Sequence, residues 1–563
     1  MKTKFLLFLL FTITIFTFSD KIFAQIENVP LTDPVYNFLK EMRVKRIITD
    51  YNDDDPNMSR FQVADRLKTM YKKKDQLTKT ENEILKKYMI EFVPEELNSM
   101  TTTSLFGGNT GASDGLKGLV TDKQKYLFAY QKNKNNIFIN VIGNLFYVNG
   151  LKPTTKSNSW LFDGGIDIRG SLFEKLGYNL SVAKGGAAGD SVLIASAYPQ
   201  ITSTFKYVEN IENIINYDFT NGYIKYYTSP SEGMDLSIQI GREQLKYGLG
   251  YSKRLALSGD APNMDFLKFN FKYGIVNFSS IFGSTIGEFT PVRDLRYTKY
   301  FTANRLKLSF DKLFDVGIGE TIISSRGIEL GYLNPLLFYK FAEMSLQDRD
   351  NGTLFFDVQT HFLKDLEFQG TFFLDENILS NLSDLEKQTN KTAYQLGFYW
   401  YEPVGFRNFS LIFEYTKIRP YVYTHFDPEN IYTGFGVILG HPIGPNADQL
   451  FVKMNYNFSA RVSANMEFQK TRKGENVYNS NGDVVINVGG SVYDTFVAGR
   501  DSDIAYFLDG IRVNDYSVRF NLVYEPLLNY TFDLNYVYNI SKNLTDGNNI
   551  DQSFAFVRFN IGY

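Results

Sequence analysis

The sequence predicts an all-β fold, a transmembrane antiparallel β-barrel of about 18 strands with a small N-terminal helical bundle, and three observations predict it. An apolar leader opens the chain. Apolar and polar residues then alternate with period two through the C-terminal part, and the connections between those alternating stretches are in turn short and long.

Composition narrows the function classes. The 563 residues include 50 Phe and 38 Tyr beside two Trp, three His and no Cys. Without cysteine there is no disulfide framework, no thiolate zinc site, no Cys nucleophile and no lipidated Cys after the leader. His361, His425 and His441 are too few and too scattered for a His-rich metal site, so neither metal nor cofactor is expected. A formal net charge of −3 excludes a strongly basic nucleic-acid surface.

The elements follow in order. Lys2 and Lys4 precede an apolar run from Phe5 to Phe18, and Ile22-Phe23-Ala24 stands before Gln25. Residues 1–24 read as a secretory signal peptide cleaved after Ala24. The run is short of the roughly 20 residues a membrane helix needs, and no later stretch has 18 apolar residues without charge. An exported chain that spans a membrane must then do so with strands.

Residues 25–98 hold the helical pattern. Asp33 can cap a helix with Pro34 at its first position, followed by Val35, Phe38, Leu39 and Met42 on one face. Ser59-x-x-Gln62 and Thr78-x-x-Glu81 are capping boxes before two further apolar stripes. Such a short segment makes a meagre core, so three helices are expected to dock on something larger. Residues 99–134 read as a linker and an approach to the barrel, and residues 135–563 as the barrel itself.

In the barrel, Tyr530, Phe532, Leu534, Tyr536, Tyr538 and Ile540 alternate with mainly polar residues. Tyr516 to Tyr524 and Ala460 to Phe468 do the same. Read backward from Tyr563, an open loop at 541–550 precedes a tight turn at 525–528, a long loop at 472–513 and a tight turn at 457–458. Then come long 420–446, tight 402–405, intermediate 376–390, tight 363–365, long 326–351 and tight 312–313. Long 284–302, tight 272–274, long 248–263 and tight 230–232 complete the series. Short turns at one end and long loops at the other are how an outer-membrane barrel is built, with the turns in the periplasm. In the last strand Val557, Phe559, Ile561 and terminal Tyr563 would face lipid, and Arg558, Asn560 and Gly562 the lumen.

The predicted lumen face carries Asp235, Glu414, Arg461, Glu467, Asp515, Arg519, Asp533 and Arg558. These make either a charge-selective pore or a set of ion pairs, and a mixed-sign wall gives little selectivity. The loops supply aromatic rings beside hydrogen-bonding and charged groups, the chemistry that stacks on sugars and binds hydroxyls or carboxylates. The glycan-binding candidates are Arg293, Arg296, Tyr297, Tyr300, Arg305, Glu320, Tyr332, Asn334, Glu343, Asp350, Asn351 and Asp357. For each of them a turn-forming or wall-bracing role is the competing explanation.

Through these residues the chain resembles the Wzi-like capsule-assembly proteins of the outer membrane, in the Bacteroidetes form that includes proteins labelled gliding-motility protein RemB. The resemblance runs through Pro34-Val35-Tyr36-Asn37-Phe38-Leu39, Ser59-Arg60, Leu77-Thr78-x-x-Glu81 and Tyr247-Gly248-Leu249-Gly250-Tyr251. It continues through Leu257-Ser258-x-x-Ala261-Pro262, Asn304-Arg305-Leu306, Gly319-Glu320, Tyr332-Leu333-Asn334-Pro335, Glu343, Asp350-Asn351 and His441-Pro442-Ile443-Gly444-Pro445. It implies an 18-stranded barrel in the cell outer membrane, a periplasmic helical bundle at one mouth, extracellular long loops, and a lectin-like role in holding capsular polysaccharide. Implied partners are capsular or surface polysaccharide and outer-membrane lipid and lipopolysaccharide, with no nucleic acid.

Alternatives are a gliding or adhesion component acting through protein partners of the gliding or secretion apparatus, a porin-type channel, and a hydrolase. Asp348 and Asp350 are a carboxylate pair, but no nucleophile, base and orienting group stand together, so no enzyme is expected.

Overall fold

The computed structural model describes residues 25–93, 102–108, 115–132, 134–153, 157–199, 209–211, 214–288, 296–375 and 384–562. The expected signal peptide, Arg293 and part of the 376–390 loop lie outside the described residues.

Eighteen antiparallel strands close into one barrel. In chain order they are β1 (Asn135–Lys152), β2 (Asn158–Leu172), β3 (Leu176–Gly189), β4 (Ile214–Ser231), β5 (Met234–Glu243) and β6 (Met264–Tyr273). Next come β7 (Val276–Ile286), β8 (Thr298–Ser309), β9 (Phe314–Ser324), β10 (Asn351–Thr360), β11 (Leu366–Asp375) and β12 (Thr392–Tyr401). The last six are β13 (Phe409–Ile418), β14 (Ala447–Asn457), β15 (Val462–Glu475), β16 (Ile511–Leu527), β17 (Tyr530–Asn543) and β18 (Asn549–Gly562). β18 pairs with β1, in register from Gly562 opposite Ile142 to Phe554 opposite Gly150, which leaves no free edge. Two short strands outside this count, Gln124–Tyr126 and Phe128–Lys132, precede the barrel, the second pairing with the start of β1.

The alternation places Phe162, Ile240, Leu396, Phe520, Leu534 and Val557 outward and exposed, as a lipid-facing wall requires. Among the described residues no helix is long and apolar enough to cross a membrane. β5 to β14 have 10 to 12 residues each, while β15 to β18 and β1 to β4 have 14 to 18. A tilted strand of ten residues just crosses an apolar band roughly 25 Å tall. The longer strands rise beyond it. Two sequence readings shift. Arg461, read as lumenal, sits in a tight turn against Asp122 and Glu525, because β15 starts at Val462. The loop read as 284–302 is shorter, because β7 runs to Ile286 and β8 begins at Thr298.

The helices α1 (Val35–Val44), α2 (Arg60–Lys72) and α3 (Lys79–Phe92) begin where their caps lie. The Asp33 carboxylate accepts the Val35 amide at 2.8 Å. The Ser59 amide donates to Gln62 at 2.9 Å, and Thr78 and Glu81 exchange bonds of 3.1 and 2.6 Å. Phe38, Leu39, Met42, Leu67, Leu85 and Met89 form one core that extends to Tyr399, Tyr401, Ile412 and Phe451 of the barrel. The meagre core is completed by the barrel's tight-turn end. Polar ties there include Lys45 to Glu402 at 3.1 Å, Lys87 to Glu525 at 2.9 Å and the Asp365 amide to the Val44 carbonyl at 3.0 Å.

Candidate binding site in the lumen

The lumen is filled on one side and open on the other. Between α1 and α2, residues 50–58 enter it from the tight-turn end and carry three consecutive aspartates. Asp54 binds Arg305 and accepts from Lys307 at 2.7 Å, and Asp55 accepts from Lys268 at 2.5 Å. Burial raises the Asp54 pKa, but Arg305 and Lys307 outweigh burial and hold its carboxyl well below the usual carboxylate range.

Loop 244–263 descends from the opposite end to meet this segment. The Gly248 amide donates to the Asp54 carbonyl at 3.0 Å, and Arg254 donates to the Asp53 carbonyl at 2.6 Å. Loop 419–446 packs over both, with the hydroxyls of Tyr423 and Tyr432 each donating at 2.8 Å to the carbonyls of Leu255 and Ala256. Leu245, Tyr247, Leu255, Phe301, Phe355 and Phe373 join these tyrosines in a continuous apolar core inside the barrel. His441 stands in this packing, and burial beside Lys253 pushes its pKa down to about 3, so it is neutral at physiological pH.

The opposite side, walled by β14 to β18 and β1, keeps two adjoining cavities of about 850 and 760 Å3. Tyr251, Lys453, Asn521, Asp533 and Arg558 line both. The first reaches loops 244–263 and 419–446 at Asp260 and Pro442, and the second reaches α1 at Lys40 and Glu41.

The wall chemistry is set by register. Asn455, Asn465, Asn521 and Asn535 stand opposite one another on four successive strands, which places four amides in one row. Asn465 donates to Asn521 at 2.8 Å, and Asn455 donates to Ser410 at 2.9 Å. Each amide is both donor and acceptor, the combination a polyhydroxyl ligand needs. One step toward the long loops, Lys453, Glu467 and Arg519 form a parallel charged row, with Lys453 and Glu467 paired at 2.7 Å. One step toward the turns, Asp533 pairs with Arg558 at 2.9 Å. Arg519 has no ion pair among the described residues and lines the first cavity. Aromatic faces come from a different element. After β3, helix α4 (Ser191–Ala197), capped by Asp190 at 2.9 Å, packs Leu193 and Ile194 on the inner wall beside Phe146. It delivers Tyr198 to the cavity, 6.1 Å from Phe146, which lies 4.9 Å from Phe556.

The residues singled out in the loops go to three places. Arg305 is buried in the lumen with both Asp54 and Asp357, and Asn351 is buried where it donates to the Asn430 carbonyl at 3.0 Å. Neither charge of the Arg305–Asp357 pair is presented to a ligand. Glu320, Tyr332, Asn334, Glu343 and Asp350 belong to a clamp on the outer wall. There Glu320 accepts the amides of Tyr339 and Lys340 at 2.8 and 3.1 Å, Tyr332 donates to Asp350 at 2.9 Å, and Asn334 accepts the Leu336 amide at 3.1 Å. Glu343 lies beneath this clamp against Lys340 at 2.6 Å. Tyr300 also faces outward, stacked on Phe282 at 5.7 Å. Arg296 is exposed and Tyr297 half-buried at the long-loop end.

The lumenal charges Glu467, Arg519, Asp533 and Arg558 were legible as a polar strand face. The asparagine row was not singled out, although alternating Asn on β14 to β17 carried its signal. Tyr198 had no sequence signal, because a seven-residue helix inside a loop brings it there.

The family model for capsule assembly protein Wzi matches residues 206–502, more than half of the chain. The chain belongs to the Wzi capsule-assembly family. The fold agrees with the Escherichia coli Wzi structure, described as a carbohydrate-binding outer-membrane β-barrel involved in group 1 capsule assembly. That match has a TM-score of 0.54 at 12% identity and covers 95% of this chain and 99% of that one. Pseudomonas aeruginosa OprD matches with a TM-score of 0.43 at 11% identity, over 76% of this chain and 95% of that one. No curated protein sequence matches. Wzi-family membership and barrel closure together make this an outer-membrane β-barrel.

Proposed function

We propose that this Wzi-family barrel holds surface or capsular polysaccharide by non-enzymatic, lectin-like binding, and that a stretch of the glycan enters the lumen on the β14 to β1 side. The observation that carries the reading is the lumenal asparagine row between charged rows, with the rings of Tyr198 and Phe556 beside it. Amides bond hydroxyls, aromatic faces stack on sugar rings, and Arg519 suits an anionic substituent. Individually weak contacts repeated along a polymer, with Arg296 and Tyr297 at the long-loop mouth adding to them, give retention. In this reading the helical bundle within residues 25–98 lies in the periplasm with the tight turns, the barrel spans 135–563, and the long loops face outward among lipopolysaccharide.

The test compares polysaccharide retained on cells with polymer shed into the medium, and scores surface spreading on the same strains. Deletion should shed polymer, and Arg519→Ala combined with Asn521→Ala should shed it too while the folded barrel stays at wild-type abundance. Full retention by that double variant would move binding out of the lumen. Retained polymer with failed spreading after deletion would replace the capsule role with a motility role.

A further inference from the structure

Loop 325–350 does not stand above the barrel but folds back over its outer wall. Asn304 on β8 and Glu320 on β9 pair in register and share the outward face with exposed Leu306. Asn304 donates to the carbonyls of Pro335 and Leu337 at 3.2 and 3.0 Å, while Glu320 holds the first amides of α5 (Tyr339–Ser345). Glycine at 352 makes the approach possible, since a Cβ there would lie 2.6 Å from the Glu343 carboxylate.

The level of this clamp decides its surroundings. β9 has 11 residues, and Glu320 lies four residues below its long-loop end at Ser324. With a rise of about 3.3 Å per residue and a tilt near 40°, that is roughly 10 Å along the barrel axis, inside the apolar band. Bare Glu320 and Asn304 at that depth would be costly in lipid. The covering segment buries them and turns Leu330, Leu336, Phe338, Phe341 and Met344 outward, all exposed. Leu336 is 88% exposed, an arrangement unfavourable in water and favourable against acyl chains. The polar stretch Gln347-Asp348-Arg349 returns toward the long-loop end.

We infer that residues 328–344 form a membrane-embedded flap, a lipid-binding surface that lies among the acyl chains beside the barrel and is continuous with its lipid-facing wall. The flap covers polar groups that the wall itself exposes, and its apolar face adds a ledge to the wall at β8 to β10.

The absence of native cysteine makes the test direct. Leu336→Cys and Phe341→Cys, each labelled with bimane in the full-length folded barrel, are reconstituted in phosphatidylcholine vesicles with brominated acyl chains. Val557→Cys on the lipid-facing wall and Asn481→Cys in an exposed loop serve as references. The expected result is a loss of fluorescence matching that at Val557, with no quenching by aqueous iodide. Iodide quenching like that at Asn481, without quenching by bromolipid, would overturn the inference. Heat-modifiable migration on gels confirms that each variant is folded, so a misfolded sample is not scored.

Discussion

Replacing Asp54 by alanine removes the one carboxylate that Arg305 and Lys307 share, and it tests whether residues 50–58 are a plug held by charge. All three side chains are nearly fully buried, so the lost pair is not a solvent-screened surface bridge. Removing one partner of a buried pair costs about 3–5 kcal/mol, because the remaining charge is left desolvated. Here Arg305 keeps Asp357 at 2.5 Å and Lys307 keeps Asn52 at 2.7 Å, which places the expected loss near the lower figure. A loss of about 3 kcal/mol moves the docked-to-undocked ratio by roughly two powers of ten. The rest of the anchorage, Asp55 on Lys268 and the backbone bonds of Asp53 and Asp54, is untouched. The variant should therefore open transiently. Hydrogen exchange on the intact protein should show the amides of residues 50–58 exchanging up to about a hundredfold faster than in the wild type, and Asp54→Asn should fall between the two. Unchanged exchange in Asp54→Ala, with the barrel folded, would refute the argument that charge holds the segment in the lumen.

Other expectations follow from the same contacts. Burial pushes the Glu41 pKa up to about 8, with Glu81 and Glu402 adding to the rise. A carboxyl with a raised folded pKa loses stabilisation as pH climbs from its unfolded value near 4.5 to about 8. Glu41→Gln should thus match wild type near pH 4.5 and hold the helical bundle to higher temperature than wild type at pH 9, read by thermal melts of the intact protein. Thr78→Ala removes an N-cap and a 2.8 Å bond to Asn408, and should weaken bundle docking by about 1 kcal/mol in denaturant titrations. Gly319→Ala puts a methyl group into the Phe355 ring and should cost about 1–3 kcal/mol, visible as a lower temperature for loss of the compact gel form.

What could be read from sequence divides along a physical line. Strands with lipid on one face and a polar lumen on the other show period two plainly, and β15 to β18 were legible almost residue by residue. Residues 301–305 of β8, 319–324 of β9 and 351–353 of β10 are buried on both faces, by the packing inside and by the 325–350 segment outside. Phe301, Thr302, Ala303, Asn304 and Arg305 are all buried, so the alternation dissolves there, and the start of β8 was read several residues late. The helix caps were legible because capping is local. The partners of Arg305 and Asp357 were not, because a charge pair across 251 or 52 residues leaves no periodic trace. Those residues have the chemistry of sugar ligands and are spent on holding the structure together.

The same asymmetry bears on function. In the β7 to β10 sector the wall is the middle layer of three, with an apolar core and buried ion pairs within and a clamped flap without. This sector is built to be rigid. In the sector of long strands helix α4 covers only part of the inner wall, and β14 to β17 keep hydrogen-bonding groups directed at open volume. An amide such as Asn521 is less costly to expose to water than to bury unpaired, so an asparagine row is stable in an open lumen and available to a ligand that replaces that water. A fully plugged barrel would have been more stable with apolar residues at those positions. In the proposed reading those polar groups hold the glycan, and the packed sector is the fixed wall against which an extended polymer lies.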